Sequence, residues 1–212
     1  SGGISSSGAQ QSSYGGSEDA YLVKFDSSGS RIWATYCGGS DYDYGRFCVV
    51  DDSSNVYLTG YSNSTSGIAT SNSFQSSNGG SLDAFLVKYN SSGNRIWGTY
   101  FGGSDDDLGE VMEIDNLNNI YIGGRTSSLT GIASATSFQS SIGGNIDAFI
   151  AIFDNNGGLV SSTYYGGPMN EITSAIASNQ ISQIYMTGWT SSDSNIASLG
   201  AHQTIYGGGE DG

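Results

Sequence analysis

Two acidic turns, Asp41-Tyr42-Asp43 and Asp105-Asp106-Asp107, sit in Gly-rich stretches and return in reduced form as Asn170-Glu171. Alternating carboxylates in such a loop can wrap Ca²⁺, which takes about six to eight oxygens in a flexible geometry. Asp41, Asp43, Asp105 and Asp107 are therefore the candidate Ca²⁺ ligands. No stretch has the spacing of an EF-hand loop, and each turn offers few carboxylates. The simpler chemistry has Asp43, Asp107 and Glu171 accepting hydrogen bonds from the backbone amides of their own turns. Paired carboxylates such as Asp105 and Asp107 also meet the first requirement of glycoside hydrolysis. They recur in degraded copies, however, whereas an active site needs one well-placed set. The expectation is a protein that is not an enzyme.

A second acid follows a Gly-Gly pair each time it appears, at Asp19, Asp83, Asp147 and Asp211. A carboxylate at one fixed corner most simply pins a loop by accepting amide hydrogen bonds. Another slot changes character from copy to copy: Tyr61, Arg125, Trp189. Large polar-aromatic groups at the base of a long loop can stack on a sugar ring or anchor a protein, so these three form the candidate ligand-binding set; loop packing is the alternative. The one histidine, His202, fills the slot of Phe74 and Phe138, which points to packing or to the surface. No serine lies in the strand–elbow–helix setting of a hydrolase nucleophile.

These residues are held in place by a repeat. Asp19-Ala20 returns as Asp83-Ala84 and Asp147-Ala148, 64 positions apart each time. A period of this size means units too small to bury a core alone, arranged side by side. The copies are 19–82, 83–146 and 147–210, residues 1–18 are the tail of a preceding copy, and the whole of 1–212 is one repeat-built segment. In the central copy, 84–89 and 95–100 read as a hairpin around a turn in which Gly93 can take positive φ. Residues 110–114 and 120–124 read as a second hairpin, and a Ser/Thr/Gly-rich loop leads on to Asp147. Four short antiparallel strands per unit, with no helical period, are what a β-propeller blade requires. In blade order, 110–114 is strand A, 120–124 strand B, 84–89 strand C and 95–100 strand D. Tyr57, Tyr121 and Tyr185, with Gly60, Gly124 and Gly188, are packing and close-approach positions in strand B.

The segment 83–124, with Asp-Ala-Phe before strand C, Thr-Tyr-X-Gly-Gly-Ser after strand D and Asn-X-Tyr-X-X-Gly in strand B, resembles the bacterial seven-bladed β-propeller (SBBP) repeat. The resemblance implies a secreted or surface-exposed protein with adhesive or scaffolding roles. The third copy departs from the pattern: Pro168, Met169 and Asn170 interrupt the acidic turn, and Ser161 stands where Trp33 and Trp97 stood.

The predicted fold class is thus all-β, built of four-stranded antiparallel β-propeller blades, with about three blades' worth of strands forming an open arc or part of a larger ring. The strand count starts and ends in mid-blade, leaving an A–B half at one end and a C–D half at the other. Unpaired edges invite another strand. The chain opens at Ser1-Gly2 and a fourth copy stops at Gly212, as expected of a segment of a longer protein. Connections D–A and B–C fall on one face, which gathers the long loops and the acidic turns.

Charge narrows the partners. Twenty acidic residues oppose six Lys and Arg, for a net charge of −14. Nucleic acid and anionic membranes are both recognised through Lys and Arg, so neither partner is expected, and the apolar runs are too short for membrane insertion as a helix. Divalent cations, or repulsion in a salty exterior, suit the sign. Cys37 and Cys48 are replaced by apolar residues in the sister copies, which predicts two buried, unreactive thiols; a disulfide between them would belong to one copy only. Asn63 and Asn90 open glycosylation sequons. The expected function is an extracellular or cell-surface scaffold, adhesin or fibre subunit without a cofactor, able to self-associate through its blade edges. The alternative is a module binding a glycan or a protein on the loop face, with Ca²⁺ as the conceivable cofactor.

Overall fold

The computed structural model describes residues 3–179 and 183–208; Asp211 lies outside them. Twelve strands follow in order: β1 (Ala20–Phe25), β2 (Arg31–Cys37), β3 (Asp43–Val50), β4 (Val56–Ser62), β5 (Asp83–Tyr89), β6 (Arg95–Phe101), β7 (Asp107–Ile114), β8 (Ile120–Thr126), β9 (Asp147–Phe153), β10 (Leu159–Tyr165), β11 (Glu171–Ser178) and β12 (Ile184–Thr190). They form two four-stranded antiparallel sheets, β3-β4-β5-β6 and β7-β8-β9-β10, flanked by the two-stranded sheets β1-β2 and β11-β12. These are two complete propeller blades between two half-blades, so each complete blade draws its A–B hairpin from one repeat and its C–D hairpin from the next. Strand A begins three residues earlier than 110, at Asp107, so the last acid of each turn is the first residue of a strand.

Turn chemistry sets the hairpins. The C–D turns place Gly29, Gly93 and Gly157 at φ of 82–84°, the left-handed region open to glycine at no steric cost. Before each of these glycines, a side-chain oxygen of Asp26, Asn90 or Asp154 accepts two backbone amides. Asp51 and Asp115 organise two A–B turns in the same way.

Neighbouring sheets pack face to face: β7 lies against β3, β4 and β5, and β11 against β7, β8 and β9. A strand between two sheets is buried on both sides, and β5 is buried along its whole length. Ala84 and Leu86 join the core shared with the following blade. Phe85, Val87 and Tyr89 join the core shared with the first half-blade, which also holds Leu22 and Trp33. Such two-sided burial explains the unbroken apolar run in the sequence.

The long B–C loop closes the outer edge. Thr70 donates its amide to Gly98 O (2.9 Å) and Tyr100 donates to Gln75 O (3.1 Å), so the loop runs along β6. The same bonds recur between Ser134 and Ser162 and between Tyr164 and Gln139, while residues 6 and 11 make them with Ala34 and Tyr36. The free edge of each D strand is thereby covered, which removes a template for unwanted pairing.

Candidate functional site

Each boundary between blades carries the same cluster. The carboxylate of Asp83, at the start of strand C, accepts the amide of Gly79 (2.9 Å) and the side-chain amide of Gln75. Asp107, at the start of strand A in the next blade, accepts the Gly103 amide (2.6 Å) and the Ser128 hydroxyl (2.7 Å). Gln75 Oε1 closes the loop by accepting the Gly102 amide at 3.0 Å. Asp19 with Asp43, and Asp147 with Glu171, repeat this pattern through Gly15, Gly39, Gly143 and Gly167. The corner acids therefore pin their loops as the sequence predicts, and Asp43, Asp107 and Glu171 bind turn amides. Sequence reasoning missed that the two sets meet. A Cβ placed on Gly102 would lie 2.8 Å from Asp83 Oδ1 and 2.7 Å from Asp107 Oδ2, and Gly38 and Gly166 stand between their own pairs likewise. The signal was the constant spacing of 24 residues within 19/43, 83/107 and 147/171.

Burial penalises the charged form, and both Asp83 and Asp107 are pushed up to about 6. Asp43 and Asp147 are raised for the same reason. Asp19 Oδ1, Asp83 Oδ1 and Asp107 Oδ1 are buried without a hydrogen-bond partner. Asp41 and Asp105 stand apart from this cluster: they are exposed, and their backbone amides bond to Ser64 and Ser128. The four candidate Ca²⁺ ligands are thus split between surface and interior. Among the described residues no three His, Cys, Asp or Glu side chains form a metal-holding group.

Tyr61, Arg125 and Trp189 lie within β4, β8 and β12 rather than after them, because strand B extends two residues beyond the predicted end. Tyr61 and Arg125 each make contacts within their own blade. Tyr61 packs on Tyr44 with ring centroids 5.0 Å apart, and Tyr44 in turn stands nearly parallel to the exposed Tyr42 at 6.3 Å. Arg125 pairs with Glu110, Nε to Oε1 at 3.7 Å. Trp189 lines a cleft of about 410 Å³ with Tyr165, Ile172 and Met186 at the β11-β12 end. His202 is exposed.

The half-blades are bare where complete blades are packed. Tyr21 and Phe25 are 58% and 56% exposed, whereas their counterparts Phe85 and Tyr89 are 0% and 1% exposed. At the other end Tyr185 is 61% exposed against 0% for Tyr57. Cys37 is buried, with its thiol pushed up to about 11 by burial. Cys48 corrects the prediction of two buried thiols, since it is exposed. Its counterpart Met112 is buried against the strands of a complete blade, and the sheet beside Cys48 has only its C–D half.

Comparison with known proteins agrees with this architecture. Residues 32–68 match the profile of a family described as "Beta-propeller repeat" (SBBP). An uncharacterized WD repeat-containing protein, L264, of Acanthamoeba polyphaga mimivirus is 26% identical over 113 residues, 51% of this chain and 8% of that protein. The regulatory protein FlaEY of Caulobacter vibrioides is 26% identical over 147 residues, 67% of this chain and 15% of that protein. The chain spans less than a sixth of either relative.

Proposed function

We propose that the chain is a non-enzymatic repeat scaffold, displayed outside the cell or on its surface, that binds proteins by strand addition at its two half-blades. The bare apolar faces of β1-β2 and β11-β12 carry this reading. A sheet edge offers main-chain hydrogen bonds, and an adjoining apolar face offers burial; together these make a protein-binding surface. The partner chemistry is a β-hairpin patterned as strands A and B of the repeat at β1-β2, and as strands C and D at β11-β12. The test is a synthetic peptide of residues 107–126, the A–B hairpin of the central copy, added to the full chain. Docking on β1 covers Cys48, so its alkylation by a soluble maleimide is expected to slow at least tenfold. Unchanged alkylation at saturating peptide overturns the reading.

One observation favours a second reading, glycan binding on the loop face. Tyr42, Tyr44 and Tyr61 form a contiguous ring stack, and their equivalents elsewhere are Asp106, Leu108 and Arg125, or Asn170, Ile172 and Trp189. Blades without the rings still fold, so the repeat itself does not demand them. Retention on a glycan array, lost in Tyr42→Ala and tested with and without a chelator for the Ca²⁺ expectation, decides it.

A further inference from the structure

We propose that Lys88 and Asn155 join covalently, the amine of one displacing the side-chain amide nitrogen of the other. The isopeptide bond so formed ties β5 of one complete blade to the C–D turn of the next. The two side chains already meet: Lys88 Nζ donates a hydrogen bond to Asn155 Oδ1 and reaches Asn155 O at 3.4 Å. Cγ lies one C=O bond, about 1.23 Å, beyond Oδ1, so a small side-chain rotation presents it to the amine. Reacting atoms held this close have already lost most of the freedom that such a bond must remove.

The surroundings serve the same step. The Tyr57 hydroxyl stands 2.8 Å from Asn155 Oδ1 and 3.1 Å from Asp51 Oδ2, and the Asn55 side-chain amide holds Asp51 at 2.8 Å. A hydroxyl aimed at Oδ1 stabilises the negative charge that gathers there when the carbonyl is attacked. Trp97 fixes the main chain of Asn155 through its indole bond to Asn155 O at 3.1 Å. Lys88 itself is buried, with its nitrogen 5.0 Å from the centre of the Tyr57 ring. Burial lowers its pKa, against an opposing pull from the Asp51 carboxylate, and so favours the neutral amine that a nucleophile must be. Asn155 is an exposed residue, which gives the leaving group a path to solvent.

The atoms balance without an oxidant or co-reactant. The Nζ lone pair of the neutral amine forms the new bond to Cγ as the carbonyl π pair moves onto Oδ1. The adduct collapses by breaking the Cγ–Nδ2 bond, and Nδ2 takes one proton given up by Nζ and leaves as ammonia. The sister joints lack the set. At the first joint Ser91 stands for Asn155 and has no amide to lose, and Lys24 donates to its main-chain oxygen at 3.3 Å. One copy on, Ile152 stands for Lys88. Blades with those residues fold alike, so the repeat itself does not demand Lys88 with Asn155.

The experiment is mass spectrometry of the denatured full chain after prolonged incubation at about pH 9, where more of the lysine is neutral. The expected mass is lower than that of the sequence by one ammonia, and a tryptic digest is expected to contain a branched peptide joining Lys88 to Asn155. Asn155→Ser and Lys88→Ile, which copy the sister joints and so preserve the fold, are expected to keep the full masses of their sequences. Tyr57→Phe is expected to slow the loss on the order of a hundredfold, as removal of a donor at a developing oxyanion does. A chain that keeps its full mass and is cleaved by trypsin after Lys88 overturns the inference. So does an ammonia loss that persists in Asn155→Ser, which marks ring closure at Asn156-Gly157 instead.

Discussion

Gly102 separates two carboxylates that come from different blades, and their protons couple stability to pH. Asp83 and Asp107 lie near 6 in the folded chain against an ordinary value of 3.8. The folded state therefore holds protons that the unfolded state releases between about pH 4 and 6, and stability falls as pH rises through that window. Asp51 and Asp115 run the other way. Burial would raise them, but hydrogen bonds led by Asn55 and Asn119 outweigh it and leave both lowered. Their contribution is present above about pH 4 and is lost in stronger acid. Scanning calorimetry is expected to give a higher melting temperature near pH 5 than near pH 8. Asp107→Asn should reduce that difference, because it removes one of the two raised carboxyls while its side-chain carbonyl can still accept from Gly103. A melting temperature that climbs from pH 5 to pH 8 contradicts the assignment.

Between elements, the outer rim is held by a tryptophan clamp. Trp97 on β6 donates its indole N–H to Asn155 O (3.1 Å) in the next blade's C–D turn, and Trp33 on β2 makes the same bond to Ser91 O at 3.0 Å. Each ring lies over the turn glycine, where a Cβ on Gly93 or Gly157 would clash with it. Trp97→Ala is expected to cost about 3 kcal/mol in a denaturant titration, near the low end for an aromatic truncation. Ser161→Ala, at the equivalent site of the following blade, should cost less than about 0.5 kcal/mol. Strands, hairpin turns and the half-blade offset were legible because each leaves a local mark: an apolar run, an Asx-Gly turn, a returning Asp-Ala. The sealing of strand D by the B–C loop left none, since its bonds are main-chain to main-chain and any Ser-rich segment could make them. The Asp83–Asp107 meeting was hidden for a related reason. It depends on how consecutive sheets lie face to face, which no single strand encodes. Cys48 was misread because burial in the sister copies was transferred to a strand whose neighbouring sheet has only two strands.

Over the whole molecule, stability is a chain of nearest-neighbour contacts, and the ends have one neighbour fewer. Native-state amide exchange should therefore be slowest in β4, β5, β8 and β9, which pair on both sides, and fastest in β1 and β12, which lack the second partner strand that their counterparts in the complete blades have. Uniform protection across all twelve would mean that the ends are covered.

The half-blade offset has a consequence for how such arrays change over generations. A unit of sequence and a unit of structure are out of step by two strands, so gain or loss of any whole 64-residue stretch removes or adds one complete sheet wherever the cut falls. Size can drift freely in this way without disturbing the strand pairing inside any sheet.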